Sequence, residues 1–304
     1  MVPQVPIMVR RTADSRGETG RAWLASLPGY VSHLSEAWSL RLGEVLDGGT
    51  VALVVRVTRQ DGTCAVLKLQ LPGLDFATQV RTLVAAGGCG YVRVYRHDLS
   101  RDAVLLEPLG APLARPAEES LDILAATLKL AWRLPAPAAV STPTKATQLR
   151  ELISDLWTEL GQPCSRQVVD RALSYADDLE QTFRADRLVL CHGDPHPDNA
   201  LAVLQPRQGA DAGYVFVDPD GLPAPPAYDL GVVLRGWTAE VLSSATPAKL
   251  LRGYAGRLAS ATGVGVEEIW QWGFTERVSS GLYLLRHGHL DEGRDYLASA
   301  EHLM

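Results

Sequence analysis

Leu190-Cys191-His192-Gly193-Asp194-Pro195-His196-Pro197-Asp198-Asn199 is the stretch that decides how this chain folds, and Val215-Phe216-Val217-Asp218-Pro219-Asp220-Gly221 completes it. In each, an acid sits where an apolar or β-branched run gives way to a Pro/Gly turn. A buried strand fixes such a side chain while the loop exposes it, which makes a rigid mount for chemistry. Asp194 and Asn199 lie five residues apart across a Pro-rich loop, and Asp218 ends the next strand but one. Their carboxylate and amide oxygens are hard ligands of the kind Mg²⁺ prefers when it also holds phosphates. Taken singly, each acid reads equally well as a turn former, since Asp is a common turn residue. The conjunction carries the information. His192 and His196 have an i,i+4 spacing, but Pro195 and Pro197 forbid the regular helix that a zinc site of that spacing needs. Both are therefore expected to brace the loop by hydrogen bonds.

Upstream, the hydrophobic period is two. Residues 39–44, 51–59, 64–70, 91–97 and 103–107 read as strands, with Asp47-Gly48-Gly49 and Gln60-Asp61-Gly62 as hairpin turns. Residues 76–86 read as a helix stopped at Gly87-Gly88. This predicts a five-stranded, largely antiparallel unit with one helix. A helix over 19–38 is expected before it, interrupted near Leu27-Pro28-Gly29, and residues 1–16 read as frayed. Lys68 lies on the third strand and is the only lysine before residue 129. A lysine in an apolar strand is costly to bury without a partner. Downstream of a connection at 110–120 the period becomes helical around Leu121–Trp132, 149–160 and 166–183, with a loop over 135–147. A short β-rich centre at 187–191, 200–204 and 214–218 follows, then helices over 247–262 and 265–287.

The chain has 304 residues and a formal net charge of −6, so its length suits two lobes and its acidity disfavours a nucleic-acid or anionic-membrane binder. No apolar run approaches the ~20 residues of a spanning helix, and the N-terminus does not read as a secretory leader. Cys64, Cys89, Cys164 and Cys191 form no CxxC pair and read as reduced thiols of a cytoplasmic protein. Cys191 reads as a buried filler.

The pattern H-x-D-x-x-x-x-N, followed by a strand and an acid, is the layout of the catalytic and metal loops of a kinase fold. A protein kinase is disfavoured, because His192-Gly193-Asp194 lacks the Arg of HRD and no DFG or APE pattern follows. With Gly20-Arg21-Ala22-Trp23-Leu24, the 61–68 segment DGTCAVLK, Leu105-Leu106-Glu107, the HGDPHPDNAL loop, VDPDG and Pro226-Ala227-Tyr228-Asp229-Leu230-Gly231, the sequence resembles the aminoglycoside phosphotransferase superfamily, in its streptomycin 6-kinase-like, or aminoglycoside/hydroxyurea antibiotic resistance kinase, branch.

That resemblance implies an α+β, bilobal, protein-kinase-like fold. An N-terminal extension and helix (1–38) would precede a nucleotide-binding N-lobe (39–110) with a five-stranded antiparallel sheet. A mainly helical C-lobe (111–304) would carry the catalytic loop and acceptor pocket. It implies ATP, with GTP as the alternative nucleotide, and Mg²⁺. Asp194 would orient or deprotonate the acceptor hydroxyl. Asn199 and Asp218 would hold the metal, and Lys68 the α- and β-phosphates. Gly48, Gly49 and Thr50 would approach the phosphates through the backbone, and Glu107 would lie in the hinge that faces the base. Asp229 would hold the catalytic loop. Gln79 stands where the family has a glutamate paired to the lysine, and Asp75 is the nearest other acid.

The acceptor expected is a cationic small molecule such as streptomycin. The acidic candidates for it are Glu151, Asp155 and Glu159 on one helix face, then Asp220, Glu276, Asp291 and Glu292, with Trp270, Trp272 and Phe274 as pocket or core. Alternatives are a kinase for hydroxyurea or another metabolite, or a catalytically weak nucleotide-binding pseudokinase. A monomer or homodimer is expected, with neither nucleic acid nor membrane as partner.

Overall fold

The computed structural model describes residues 4–73, 75–134 and 144–304. The chain divides into two compact units: residues up to Ala111 together with Ala202–Val215, and Pro112–Leu201 together with Phe216–Met304. Residues 202–215 thus group with the first unit, although they follow the catalytic-loop motif in sequence.

The first unit opens on helix α1 (Ile7–Ser15) in place of the expected frayed end. Val5, just before the helix, and Val9 and Ala13 within it recur every four residues and are buried, while Ile7 and Met8 are exposed. Helix α2 (Gly17–Ala37) runs unbroken through Pro28. An interior proline costs about 3 kcal/mol. Leu27, Val31 and Leu34 are each buried on the same stripe as Trp23, and full burial of such side chains stabilises by about 1.5–3 kcal/mol apiece. The stripe wins over the breaker, and Pro28 itself faces outward.

α1 packs on α2 at Gly20, where a Cβ would lie 1.8 Å from the Ala13 carbonyl oxygen. Backbone cannot yield there. Gly20→Ala is expected to destabilise the unit by about 1–3 kcal/mol, read as a lower melting temperature. An unchanged melting curve would contradict this packing.

Strands β1 (Arg41–Val45), β2 (Ala52–Thr58) and β3 (Cys64–Gln70) precede helix α3 (Phe76–Ala86), and β4 (Val94–Asp98) and β5 (Ala103–Leu106) follow it. They form one sheet in the order β1-β2-β3-β5-β4 with every pairing antiparallel. Leu53, Val55 and Val57 of β2 and Ala65, Leu67 and Leu69 of β3 share a cluster with the α2 stripe. The period of two therefore turns Lys68 to the other face. α3 is capped by Asp75, whose side chain accepts from Thr78 N–H at 3.0 Å, and ends at Gly87 with φ 57°. The short strand β6 (Leu109–Pro112) ends the segment.

The second unit is mainly helical. It contains α4 (Ala117–Ala131), α5 (Lys145–Glu159), α6 (Arg166–Gln181) and the short strands β7 (Val189–Cys191) and β10 (Leu222–Ala224), while the strands β8 (Ala200–Val203) and β9 (Tyr214–Phe216) between them are divided between the two units. Helices α7 (Pro226–Arg235), α8 (Thr238–Ser243), α9 (Pro247–Thr262), α10 (Val266–Arg286) and α11 (Leu290–Glu301) complete it. β7 pairs with β10, and the division between the units falls within the strands β6, β8 and β9, which hydrogen-bond in that order. Of the loop expected over 135–147, residues 135–143 lie outside the described residues, while Thr144 caps α5 by accepting from Thr147 N–H. α4 and most of β8, expected from the sequence, are in place; β10, α7, α8 and α11 had no expectation attached. No helix among the described residues is long and apolar enough to cross a membrane.

Candidate active site

β7 delivers the HGD loop. It pairs with β10 so that Cys191 lies opposite Leu222, and the buried Cys191 thiol donates to the Ala224 carbonyl at 3.4 Å, a filler as expected. Burial pushes that thiol well above its ordinary pKa. The next side chain, His192, is fully buried. Its Nδ1 accepts from Asp194 N–H at 3.1 Å, so the ring proton lies on Nε2, which donates to Val217 O at 2.9 Å. Burial lowers its pKa, which keeps the ring neutral. His192 O accepts from Asp220 N–H at 2.7 Å. One histidine therefore locks the HGD loop to the segment that carries Asp218. Gly193 has φ 95°, and a Cβ there would lie 2.5 Å from the Asp220 carboxylate, so no other residue serves at this point.

Asp229 on α7 clamps the same loop. Its fully buried carboxylate accepts from His192 N–H (2.9 Å), Gly193 N–H (2.9 Å) and the Trp132 indole (2.8 Å). Burial raises its pKa against these donors. Asp229→Asn would turn an amide N–H₂ toward N–H groups and leave a buried donor unmet, at about 1–3 kcal/mol for each group. The expected result is a clear loss of thermal stability with parallel loss of activity. An unperturbed melting temperature would contradict the clamp.

Across the loop, Asn199 donates its amide N–H to Asp194 O at 2.9 Å, which leaves the amide oxygen as the atom to present to a ligand. Asn199 O accepts from Val217 N–H at 2.9 Å. Val217 is thus held on both of its peptide groups, and Asp218 follows directly with φ 57°. A non-glycine residue in this left-handed region stores strain, a state that clusters at functional sites. Asp194, Asn199 and Asp218 are brought together by this network.

The Asp194 carboxylate has two partners. Oδ2 lies 3.4 Å from His196 Nε2, and Oδ1 accepts from Arg235 Nη2 on α7. Partial burial would raise its pKa, but the His196 and Arg235 contacts outweigh this and hold it well below the usual carboxylate range. Arg235 Nη1 in turn donates to Glu276 Oε2 at 3.0 Å on α10. Glu276, read from the sequence as a candidate acceptor contact, is buried and already paired. Arg235 was missed. The sequence carries a faint signal for it, a charge closing the apolar run Leu230–Leu234 of a helix.

These groups line a cavity of about 1000 Å³. Six carboxylates face it (Asp194, Asp198, Asp220, Glu240, Glu276 and Glu292) against Lys145 and Arg235 as the lysine and arginine in its wall. Asp220 and Glu292 are among the predicted acceptor candidates. Glu151 and Asp155 are not in this wall, and Glu159 is paired with Arg286 at the surface. Trp270 and Phe274 are buried in packing, with Arg252 over the Trp270 ring and Tyr175 edge-on to Phe274. Trp272 borders a separate cavity of about 460 Å³.

The remaining predicted residues belong to the first unit. Lys68 is buried in the middle of β3, opposite Val54 and Val104. Gly48, Gly49 and Thr50 lie exposed in the β1–β2 turn, with Gly48 at φ 108°. Gln79 is half-buried on α3. Asp75 is occupied as the α3 cap, with its pKa lowered by the Thr78 hydrogen bonds, so it is a poor substitute for the missing glutamate. Glu107 proves informative through its side chain, which the sequence left unread. Its Oε1 accepts from Arg93 N–H at 2.9 Å and from Arg207, and its Oε2 accepts from Arg207 Nε at 3.0 Å. Arg207 also donates to Gly88 O and Tyr91 O, so Glu107 and Arg207 brace the segment after α3.

Asn199 and Asp218 fit a divalent cation by donor chemistry, since hard oxygens joined by phosphate oxygens and water are what Mg²⁺ takes. Among the described residues no cluster of three or more His, Cys, Asp or Glu forms an all-protein metal cage. The chain is 28% identical to streptomycin 6-kinase of Streptomyces glaucescens over 95% of its length and 93% of that protein's. It is 31% identical to streptomycin 6-kinase of Streptomyces griseus, covering 73% of this chain and 72% of that one. Choline kinase LicA from Streptococcus pneumoniae shares the fold with a TM-score of 0.60 at 14% identity, covering 90% of this chain and 97% of that one. The sequence profile of the aminoglycoside/hydroxyurea antibiotic resistance kinases matches residues 38–288, and the chain belongs to that family of small-molecule phosphotransferases with the protein-kinase-like fold.

Proposed function

We propose that this chain transfers the γ-phosphate of ATP to a hydroxyl of a cationic aminoglycoside of the streptomycin type, and so inactivates it. The observation that carries the reading is the hydrogen-bonded loop that sets Asp194 at the wall of an acid-rich cavity and ties Asn199 and the segment leading to Asp218 to it. The cavity's size and six carboxylates suit a large polycation better than small, neutral hydroxyurea. Phosphoryl transfer asks for positioning and charge stabilisation more than for a strong base. Asp194, held ionised by Arg235 and His196, suits that role: it accepts the hydroxyl's hydrogen bond and aims the oxygen in line. Asn199 and Asp218 are assigned to Mg²⁺, which when bound neutralises charge on the phosphates. Lys68 is assigned to the α- and β-phosphates, with Gly48, Gly49 and Thr50 nearby in sequence as their backbone cover and Glu107 in the segment facing the base. The intact set favours an active kinase over a pseudokinase despite Gln79. We place the work in the cytoplasm, where ATP is supplied.

A panel of aminoglycosides and hydroxyurea, incubated with the purified chain, Mg²⁺ and either ATP or GTP, tests this. A phosphomonoester of a streptomycin-like acceptor is expected, with ATP preferred. Turnover of hydroxyurea alone would overturn the acceptor assignment, and no turnover at all would overturn the activity.

A further inference from the structure

Helices α7 and α10 cross at two glycines. A Cβ on Gly231 would lie 2.3 Å from Trp272 Cβ, and a Cβ on Gly273 2.9 Å from Leu234 Cδ2. Contact this close fixes what the next helical turns present. Arg235 lies four residues beyond Gly231 and Glu276 three beyond Gly273, so the two side chains meet on facing surfaces. Arg277 secures the backbone on both sides of Arg235. Fully buried, it donates to Leu234 O at 3.2 Å and Gly236 O at 2.7 Å, and is itself held by Ser299 Oγ at 2.6 Å. Burial pulls its pKa down to about 10, and it stays protonated at neutral pH. The Arg235 guanidinium is thus placed by two packed helices rather than by a loop.

We propose that Arg235 is a positioning residue for phosphoryl transfer: anchored on Glu276, its planar fork holds the Asp194 carboxylate in the one orientation that receives the acceptor hydroxyl. This rests on the role assigned to Asp194 above. The terminal torsion of an Asp side chain is broad and roughly two-fold. Without Arg235, the contact left on the Asp194 carboxylate among those described is His196 at 3.4 Å. Arg235 uses separate nitrogens for Asp194 and Glu276, which a single ammonium group cannot reproduce in the same geometry. It also separates two carboxylates that would otherwise repel each other across the cavity wall.

The test uses the purified full chain and the acceptor found in the panel. Arg235→Met is expected to lower kcat by about 100-fold, the cost of a misplaced reacting group, with KM for ATP changed less than about twofold. Arg235→Lys is expected to recover part of that loss. Glu276→Gln is expected to lower kcat by about tenfold alone and to add nothing on top of Arg235→Met, as for residues acting through one contact. A merely structural ion pair would lower the melting temperature and show neither the kcat-against-KM split nor the lysine rescue. A crystal structure of Arg235→Met, or of Arg235→Lys should the first not fold, is expected to show the Asp194 carboxylate turned from its wild-type orientation. A folded Arg235→Met with kcat within threefold of wild type, or with Asp194 unmoved, overturns the proposal. Should the wild type phosphorylate no acceptor, the functional reading fails, and the position of Asp194 in the variant crystal decides this inference by itself.

Discussion

Asp194→Asn is expected to lower kcat by about a thousandfold, within the 10²–10⁴ range for a positioned acid–base group, while the protein keeps its fold. The substitution is isosteric. It removes the charge that receives the hydroxyl, yet it leaves Arg235 its second partner, Glu276, at 3.0 Å. His192 Nδ1 still accepts the backbone N–H of residue 194, so the loop keeps its shape. The melting temperature and KM for ATP should therefore change little, and the loss should fall on kcat. A steady-state assay with the acceptor saturating, beside a thermal melt, checks both halves. Turnover within tenfold of wild type would remove Asp194 from the centre of the reaction.

The second large effect is expected at Asp218. Asp218→Asn should lower kcat/KM for Mg-ATP by about a thousandfold, close to 4 kcal/mol at 1.36 kcal/mol per decade. Asn is the right probe because residue 218 has φ 57°, which Asn tolerates and Ala does not. A loss seen with Asn therefore reports the missing charge, not backbone strain. Nucleotide binding measured by calorimetry should weaken when Mg²⁺ is present and stay near wild type in chelator. Equal weakening in both conditions would show that residue 218 contacts the nucleotide or the fold and does not hold the cation.

The sequence reveals most of this architecture because its signals are local. Alternating Leu/Val runs over 52–58 and 64–70 can bury one face only as strands, and they do. The helix over 76–86 is legible from its apolar spacing and from the stop at Gly87. Where reading fails, a longer-range term overrules a local one. Pro28 should break α2, yet burial of Leu27, Val31 and Leu34 on one face outweighs it. α1 is hidden because its buried residues, Val9 and Ala13, join a core that α2 completes, while the apolar Ile7 and Met8 beside them stay exposed and blur the helical stripe.

The site divides the same way. Asp194 and Asp218 stand out in the sequence because each follows an apolar run into a Pro/Gly turn, and Asn199 because it closes the H-x-D-x-x-x-x-N spacing. Arg235 and Glu276 do not, since what pairs them is the close crossing of α7 and α10 at Gly231 and Gly273, 42 residues apart in sequence. The sequence marks Glu107 only by its place in the expected hinge. Its carboxylate matters because Arg207, a hundred residues later, folds back to meet it. Glu151, Asp155 and Glu159 read from the sequence as either an acceptor contact or a solvated helix face, and they are exposed.

The decisive measurement is the fate of labelled γ-phosphate when the purified chain meets Mg-ATP and streptomycin. The chain should yield streptomycin phosphate, identified by mass spectrometry, and the Asp194→Asn protein should yield almost none. Equal product from both proteins would contradict the central claim, as would a folded wild-type chain that binds Mg-ATP and leaves the label on the nucleotide with every acceptor offered.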